Sequence, residues 1–229
     1  MKNIQLICFD LDDTLWPCMP TIIRAEEALY QWLRNNKPAV TEKYTVLELR
    51  DKRLALAENR PELKHDLSKL RKVSLSQLAD EFNDRADWID TAFDVFYEAR
   101  QNVNLFADVI EVLHELSSVY ELAAMTNGNA DIRRTEIGHL FKYAITAEAT
   151  GAAKPDQLMF SSLLQQSALT PQQILYVGDH PVQDIEGAHK AGIPNVWLNR
   201  QKQAWSHQQI RPDNSVTDLY EVLQLLTIK

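Results

Sequence analysis

Three aspartates in one short run, Asp10, Asp12 and Asp13 of FDLDDTL, are the first residues in this 229-residue chain whose types and spacing suit chemistry. A carboxylate can attack phosphorus. The acyl-phosphate it forms hydrolyses readily, so one hard displacement becomes two easier ones. Residues two apart at the end of a strand project to the same side, which places Asp12 to protonate the leaving alkoxide of an Asp10 attack and then to deprotonate water. Clustered carboxylates repel one another and any anionic substrate. A divalent cation is therefore expected, and Mg²⁺ is the natural choice for a set of hard oxygen donors. Three further groups are polar and sit beyond apolar stretches: Thr126 with Asn127, then Lys154, then Gly178 and Asp179 with Asp184. Any one of them alone reads equally well as a strand-end hydroxyl, a solvated charge or a turn signal. All of them in order read as a kit for phosphoryl transfer. His180 lies in the same stretch as Asp179 and suits local hydrogen bonding as well as catalysis, so it receives no role. Cys8 reads as a small core residue and Cys18 as more exposed. Trp16, Trp32, Phe93 and Phe96 read as core and interface.

These residues need a scaffold that brings distant strand ends together. From Val103 onward the pattern alternates: Leu113 and Leu116 belong to a helix, and Leu122 to Met125 form a short apolar strand. A helix is expected from Pro155 to Ala168, a strand from Ile174 to Val177, a helix near Val182 to Ala191, a strand near Val196 to Leu198 and a last helix from about Asp218 to Leu226. Alternating strands and helices predict an α/β fold with a doubly wound parallel sheet, whose ligands lie at the carboxyl ends of the strands. The strand Leu6 to Phe9, apolar on both faces, must join that sheet.

Between Pro17 and Asn102 the sequence changes character. It contains no glycine, since all six glycines lie at Gly128 or later, and Ile22, Ala25, Leu29, Trp32 and Leu33 recur at helical spacing. Further helices are expected around Leu47 to Ala57, Leu63 to Lys72 and Leu75 to Ala99, with Ser74 and Gln77 as a capping box for the last. The block is predicted to be an α-helical insert, residues 17–102, between the first strand and the remainder of a core formed by residues 1–16 and 103–229.

Composition excludes several classes. Hydrophobic residues at 45% and charged residues at 24% are ordinary for a globular chain. Two cysteines so close together do not read as a secreted disulfide framework, the apolar run at Leu6 to Phe9 is too short for a leader peptide, and no stretch approaches a spanning helix. A cytoplasmic protein is expected. A net charge of −8 argues against a nucleic-acid partner. The insert holds 14 basic and 15 acidic residues, leaving 10 and 17 for the core, or −1 against −7. The basic clusters Arg50, Lys52, Arg53 and Lys64, Lys69, Arg71, Lys72 read first as solvated helix faces.

FDLDDTL, MTNGN, the Lys154–Pro155 pair and GDHPVQD resemble, in order, the four motifs of the haloacid dehalogenase superfamily. That resemblance implies Asp10 as nucleophile, Asp12 as general acid and base, and Thr126, Asn127 and Lys154 around the phosphoryl oxygens. It also implies a Mg²⁺ held by Asp10, the backbone carbonyl of Asp12 and Asp179, with Asp184 bound through water or holding Lys154. Pro155 would open a helix, and Gly151 would sit at a turn. The insert resembles the helical cap of one branch, which closes over the core and favours small substrates.

The resemblance implies a phosphatase acting on a small phosphorylated metabolite, with no membrane partner, as a monomer or homodimer. The surroundings of Trp16 and the TNGNA stretch are similar to phosphatases acting on flavin mononucleotide or on the phospho-ribitylamino-pyrimidine of riboflavin synthesis. Nucleotide monophosphates and sugar phosphates are the alternatives, and a phosphomutase would keep the same motifs. A 2-haloacid dehalogenase would lack an acid two residues after the nucleophile. A phospho-accepting receiver domain would carry its acceptor on a middle strand without an insert.

Overall fold

The computed structural model describes residues 3–227. Strand β1 (Leu6–Phe9) is followed by five helices, α1 (Cys18–Asn36), α2 (Pro38–Lys43), α3 (Val46–Asn59), α4 (Leu67–Glu81) and α5 (Ile89–Gln101). Then come α6 (Val109–Ser117), β2 (Glu121–Thr126), β3 (Phe141–Thr146), α7 (Ala147–Thr150), α8 (Gln157–Ser167), β4 (Ile174–Gly178), α9 (Gly187–Lys190), β5 (Asn195–Leu198), β6 (Asn214–Val216) and α10 (Leu219–Thr227). The chain divides into two compact units, Met1–Pro17 with Asn104–Lys229, and Cys18–Val103.

In the first unit six strands form one sheet in the order β3-β2-β1-β4-β5-β6, and every pairing is parallel. This is the expected α/β architecture. Strand β1 lies at its centre, paired with β2 through Phe9↔Ala124 and with β4 through Phe9↔Val177, which explains why all four of its residues are apolar and buried. Leu6 and Cys8 pack with Met125, Tyr176, Met159, Phe160 and Ala188 in one layer. By alternation Ile7 and Phe9 face the opposite side. Helices α6 and α10, which contact each other, bury Val109, Val112, Leu113, Leu219 and Val222.

Strands β3 and β6 were not expected from the sequence. β3, at the sheet edge, carries the adjacent Lys142 and Tyr143 among its apolar residues, and β6 has only three residues, NSV. Both are edge strands that carry too short or too mixed a pattern for a two-faced apolar run. The helix expected from Pro155 begins two residues later: Asp156 caps it, accepting from the Leu158 N–H, and Pro155 precedes it after a cis Lys154–Pro155 bond. The segment near Val182 is a π-helical turn, Pro181–Glu186, leading into α9.

The second unit is wholly helical. Ser74 does not start a helix: α4 runs unbroken through it, and the chain breaks at Phe82 to Trp88 instead. The capping box that forms is Thr45 with Glu48, at the start of α3. Its core gathers Ala25, Leu29 and Leu33 of α1 with Leu75 and Leu78 of α4 and Phe93 and Phe96 of α5. Among the described residues no helix is long and apolar enough to cross a membrane.

Candidate active site

The candidate side chains gather at the carboxyl edge of the sheet, with Asp10, Thr126 and Asp179 where a strand stops and Lys154 and Asp184 in the segments that follow. Asp10 follows β1 directly, its N–H still bonded to the Val177 carbonyl at 2.9 Å, so the central strand holds its backbone. The chain then turns sharply. Leu15 N–H donates to the Leu11 carbonyl at 2.8 Å, Asp13 N–H to the Trp16 carbonyl at 2.7 Å, and Asp13 itself adopts φ 62°, a conformation that aspartate tolerates better than most residues. Trp16 is fully buried, yet its indole N–H donates to Asp12 Oδ1 at 2.8 Å. That bond fixes the Asp12 carboxylate.

Lys154 reaches the same place from the loop after α7. Its ammonium is 3% exposed as a residue and lies 2.6 Å from Asp10 Oδ1, 2.7 Å from Asp184 Oδ1, 2.9 Å from the Tyr176 hydroxyl and 3.0 Å from the Met125 carbonyl. Gly151, at φ 71°, ends α7 and redirects the chain toward it. Asn127 holds the same segment: its side-chain oxygen accepts from the Lys154 N–H at 2.7 Å and its amide donates to the Lys154 carbonyl at 3.0 Å and to Gln183 at 3.1 Å. The Asn127 side chain therefore anchors the Lys154 segment. Thr126 is buried, its hydroxyl accepting from the Gly128 N–H at 2.9 Å.

Asp179 follows β4, and its backbone carbonyl accepts from the Trp197 indole at 2.7 Å. Asp184 returns from the π-helical turn and accepts from the His180 N–H at 2.8 Å. A side chain at Gly178 would put a Cβ 2.4 Å from the Asp184 carboxyl carbon, so only glycine lets that carboxylate close in. His180 has a local task, its Nδ1 accepting from the Val182 and Gln183 N–H groups.

Asp10, Asp179 and Asp184 each bring a carboxylate oxygen within 4.8 Å of the others. Burial, with repulsion from Asp184, pushes Asp179 up to about 8. Burial also pushes Asp10 up to about 7, against the pull of Lys154. Lys154 is held charged by Asp10 and Asp184 despite its burial. One ammonium among this many carboxylates leaves a strongly negative pocket of hard oxygen donors, which fits a divalent cation of the Mg²⁺ kind. Asp13 and Asp179 open onto a cavity of about 320 Å³ that Phe106, Trp197 and Arg200 also line.

Four residues of this site escaped the sequence reading. Tyr176 donates to Asp184 Oδ1 at 3.0 Å while accepting from Lys154, and its signal was a lone hydroxyl within the apolar strand ILYVG. Gln183 braces Asn127. Trp16 stands four residues from Asp12 and was read as packing alone. Arg200 donates twice to the Thr14 carbonyl, at 3.1 and 3.0 Å, pairs with Asp108 at 3.0 Å and stacks 4.1 Å from the Phe106 ring centre. It braces the turn that follows Asp12, and nothing local in the sequence marks it.

Residues 7–198 match the family model described as haloacid dehalogenase-like hydrolase. Over 99% of this chain and 98% of the relative, the sequence is 26% identical to a 5-amino-6-(5-phospho-D-ribitylamino)uracil phosphatase of Escherichia coli. It is 28% identical, over 94% of this chain and 91% of the relative, to a glyceraldehyde 3-phosphate phosphatase of Methanopyrus kandleri. A solved structure named 2-haloacid dehalogenase, from Pseudomonas syringae, superposes with a TM-score of 0.90 at 35% identity, covering 97% of this chain and 98% of that one.

Proposed function

This chain belongs to the haloacid dehalogenase-like hydrolases, and from that premise we propose that it is a phosphatase of small phosphomonoesters working through an aspartyl-phosphate on Asp10. The observation that carries the proposal is a buried nucleophile with a fixed acid beside it: Asp10 against the Lys154 ammonium at 2.6 Å, and Asp12 held by the Trp16 indole at 2.8 Å.

In the first step an Asp10 oxygen attacks phosphorus, the bond from phosphorus to the ester oxygen breaks, and Asp12 delivers its proton to the departing alkoxide. In the second, Asp12 takes a proton from water as the water oxygen attacks phosphorus. The Asp10–phosphorus bond breaks, its electron pair returns to the carboxylate, and inorganic phosphate leaves. The Lys154 charge and the Thr126 hydroxyl offset negative charge on the phosphoryl oxygens. Asn127 and Gln183 keep the Lys154 loop in place, and Tyr176 and Asp184 keep its ammonium at Asp10. A Mg²⁺ held by Asp10, the Asp12 carbonyl and Asp179, with Asp184 beside them, would supply a Lewis acid and neutralise the carboxylates. The helical unit, Cys18–Val103, is proposed as the cap that sets which leaving groups are accepted.

Full-length similarity to a phospho-ribitylamino-uracil phosphatase favours a polyhydroxylated or heterocyclic phosphate, with flavin mononucleotide, nucleotide monophosphates and sugar phosphates as alternatives. A phosphate-release screen over those classes with Mg²⁺ tests this, and release from none of them would refute it. A second reading, hydrolysis of a 2-haloacid, is favoured by the likeness to the Pseudomonas syringae structure. A halide leaves without a proton, so that reaction gives Asp12 no task. Halide release from 2-chloropropionate without phosphate release from any ester would establish it instead.

A further inference from the structure

Thr14, in the turn that carries Asp12, is held by a residue 186 positions away in the chain. Arg200 stands just beyond the end of β5, and its Nε–H and Nη2–H both donate to the Thr14 carbonyl, at 3.1 and 3.0 Å. A carbonyl oxygen has two lone pairs, and the planar guanidinium fork engages both. The third nitrogen, Nη1, donates to Asp108 Oδ2 at 3.0 Å, and the guanidinium lies 4.1 Å from the centre of the Phe106 ring. Asp108 is held in its turn, because the same oxygen accepts from the Leu219 N–H at 2.7 Å. Phe106 donates its own N–H to the Leu15 carbonyl at 3.0 Å. Two consecutive carbonyls of the turn are thus engaged from outside it.

Thr14 is fully buried, so loss of the guanidinium would leave its carbonyl without those donors and give the turn a reason to rearrange. The same turn reaches two carboxylates of the site. The Thr14 hydroxyl donates to Asp179 Oδ1 at 3.5 Å, and Trp16, two residues on, donates its indole N–H to Asp12 Oδ1 at 2.8 Å. The strand end that supplies Arg200 also supplies Trp197, whose indole holds the Asp179 carbonyl at 2.7 Å. One end of β5 therefore braces both the Asp12 turn and the Asp179 backbone, although it contributes no group to the chemistry itself. A misplacement of about 1 Å at reacting groups costs on the order of 100-fold in rate, so a brace two residues from Asp12 acts on turnover as well as on stability.

We propose that Arg200, oriented by Asp108, is a positioning residue for the reaction. By holding the Thr14 carbonyl it fixes where the Asp12 carboxylate and the Thr14 hydroxyl point, and it governs the chemical steps rather than substrate binding. The proposal rests on the phosphatase reading above for its kinetic part and on geometry alone for the rest. Lysine is no substitute, because a single ammonium cannot place two N–H groups on one carbonyl and a third on a carboxylate while lying against a ring. Arg200 also lines the cavity of about 320 Å³ beside Asp13 and Asp179, which gives a small planar cation a route to the place its guanidinium occupies.

The test compares wild type with Arg200→Ala and with Arg200→Lys, which keeps the positive charge beside Asp108 and so protects the fold. Turnover of p-nitrophenyl phosphate with Mg²⁺ should fall about tenfold or more in kcat for both variants, with KM nearly unchanged. Millimolar guanidinium chloride, far below denaturing concentrations, should restore part of the loss in Arg200→Ala, and ammonium chloride at the same ionic strength should not. A second readout needs neither metal nor turnover. In metal-free protein labelled with ¹⁵N-tryptophan, the Trp16 indole resonance, identified by its loss in Trp16→Phe, should move in both variants while those of Trp32 and Trp88 in the helical unit stay in place. Wild-type kcat in the folded variants, a loss confined to KM, or an unmoved Trp16 resonance overturns the proposal. If wild type releases no phosphate from any ester, the phosphatase reading fails instead, and the Trp16 resonance still decides whether Arg200 sets the turn.

Discussion

Replacing Lys154 by Met keeps most of the side-chain volume but removes the ammonium that lies 2.6 Å from Asp10 and 2.7 Å from Asp184. Both carboxylates are then buried without a counter-charge, and breaking a buried ion pair from one side costs about 3–5 kcal/mol. In a chain of this size each kcal/mol moves the melting temperature by about 2–4 °C, so the metal-free variant should melt roughly 6–20 °C below wild type at pH 8. The deficit must depend on pH. Lys154 is what holds Asp10 down against its burial. Without it Asp10 rises further, and protonation at pH 5 relieves most of the cost. Melting curves of both proteins at pH 5 and pH 8 in a chelator measure this. An equal deficit at both pH values would trace the loss to packing and refute the electrostatic account, as would no deficit at pH 8.

Three other expectations concern the same site. Trp16→Phe removes the indole donor to Asp12 Oδ1, a charge-assisted bond of about 1.5–3 kcal/mol. Turnover of an aryl phosphate should fall about tenfold or more with KM nearly unchanged, and a change in KM alone would disprove the positioning role. Asp12→Ala should likewise lower kcat far more than binding, and steady-state kinetics that show only weakened binding would contradict its role in proton transfer. Asp10 near 7 and Asp179 near 8 lie well above the ordinary carboxylate value. The folded state therefore keeps protons that the unfolded chain has already released, and metal-free stability should fall as pH rises from about 4 through about 8. Added Mg²⁺ should lessen that fall, and a melting temperature that climbs across this window would show the sign to be wrong.

The sheet was legible in the sequence where burial is two-sided. LICF and ILYV are apolar runs because β1 and β4 have neighbours on both edges and layers on both faces, whereas the edge strands β3 and β6 carry no such signature. Helix boundaries in the insert were misplaced because the apolar spacing of α4 continues through Ser74, whose type suggests a cap although its position is interior. Asp10 and Asp179 were legible as charged residues just outside an apolar run, whereas Lys154 and Asp184 stand apart from any such run and were marked only by the resemblance of the Lys154–Pro155 pair and GDHPVQD to family motifs. Tyr176, Trp16 and Arg200 were not legible. Tyr176 and Trp16 each contribute one polar atom from an otherwise packed side chain, and Arg200 its whole guanidinium, to partners that no local pattern marks. The same reason hid Arg50, Arg53 and Arg71, which surround Glu26: periodicity cannot separate a basic residue facing solvent from one facing a buried glutamate.

The most direct test of the central claim is phosphate release from p-nitrophenyl phosphate by wild type and by Asp10→Asn, with and without Mg²⁺, after circular dichroism has shown that both are folded. The account requires turnover by wild type with Mg²⁺ and none by Asp10→Asn. Turnover by Asp10→Asn at the wild-type rate would contradict it.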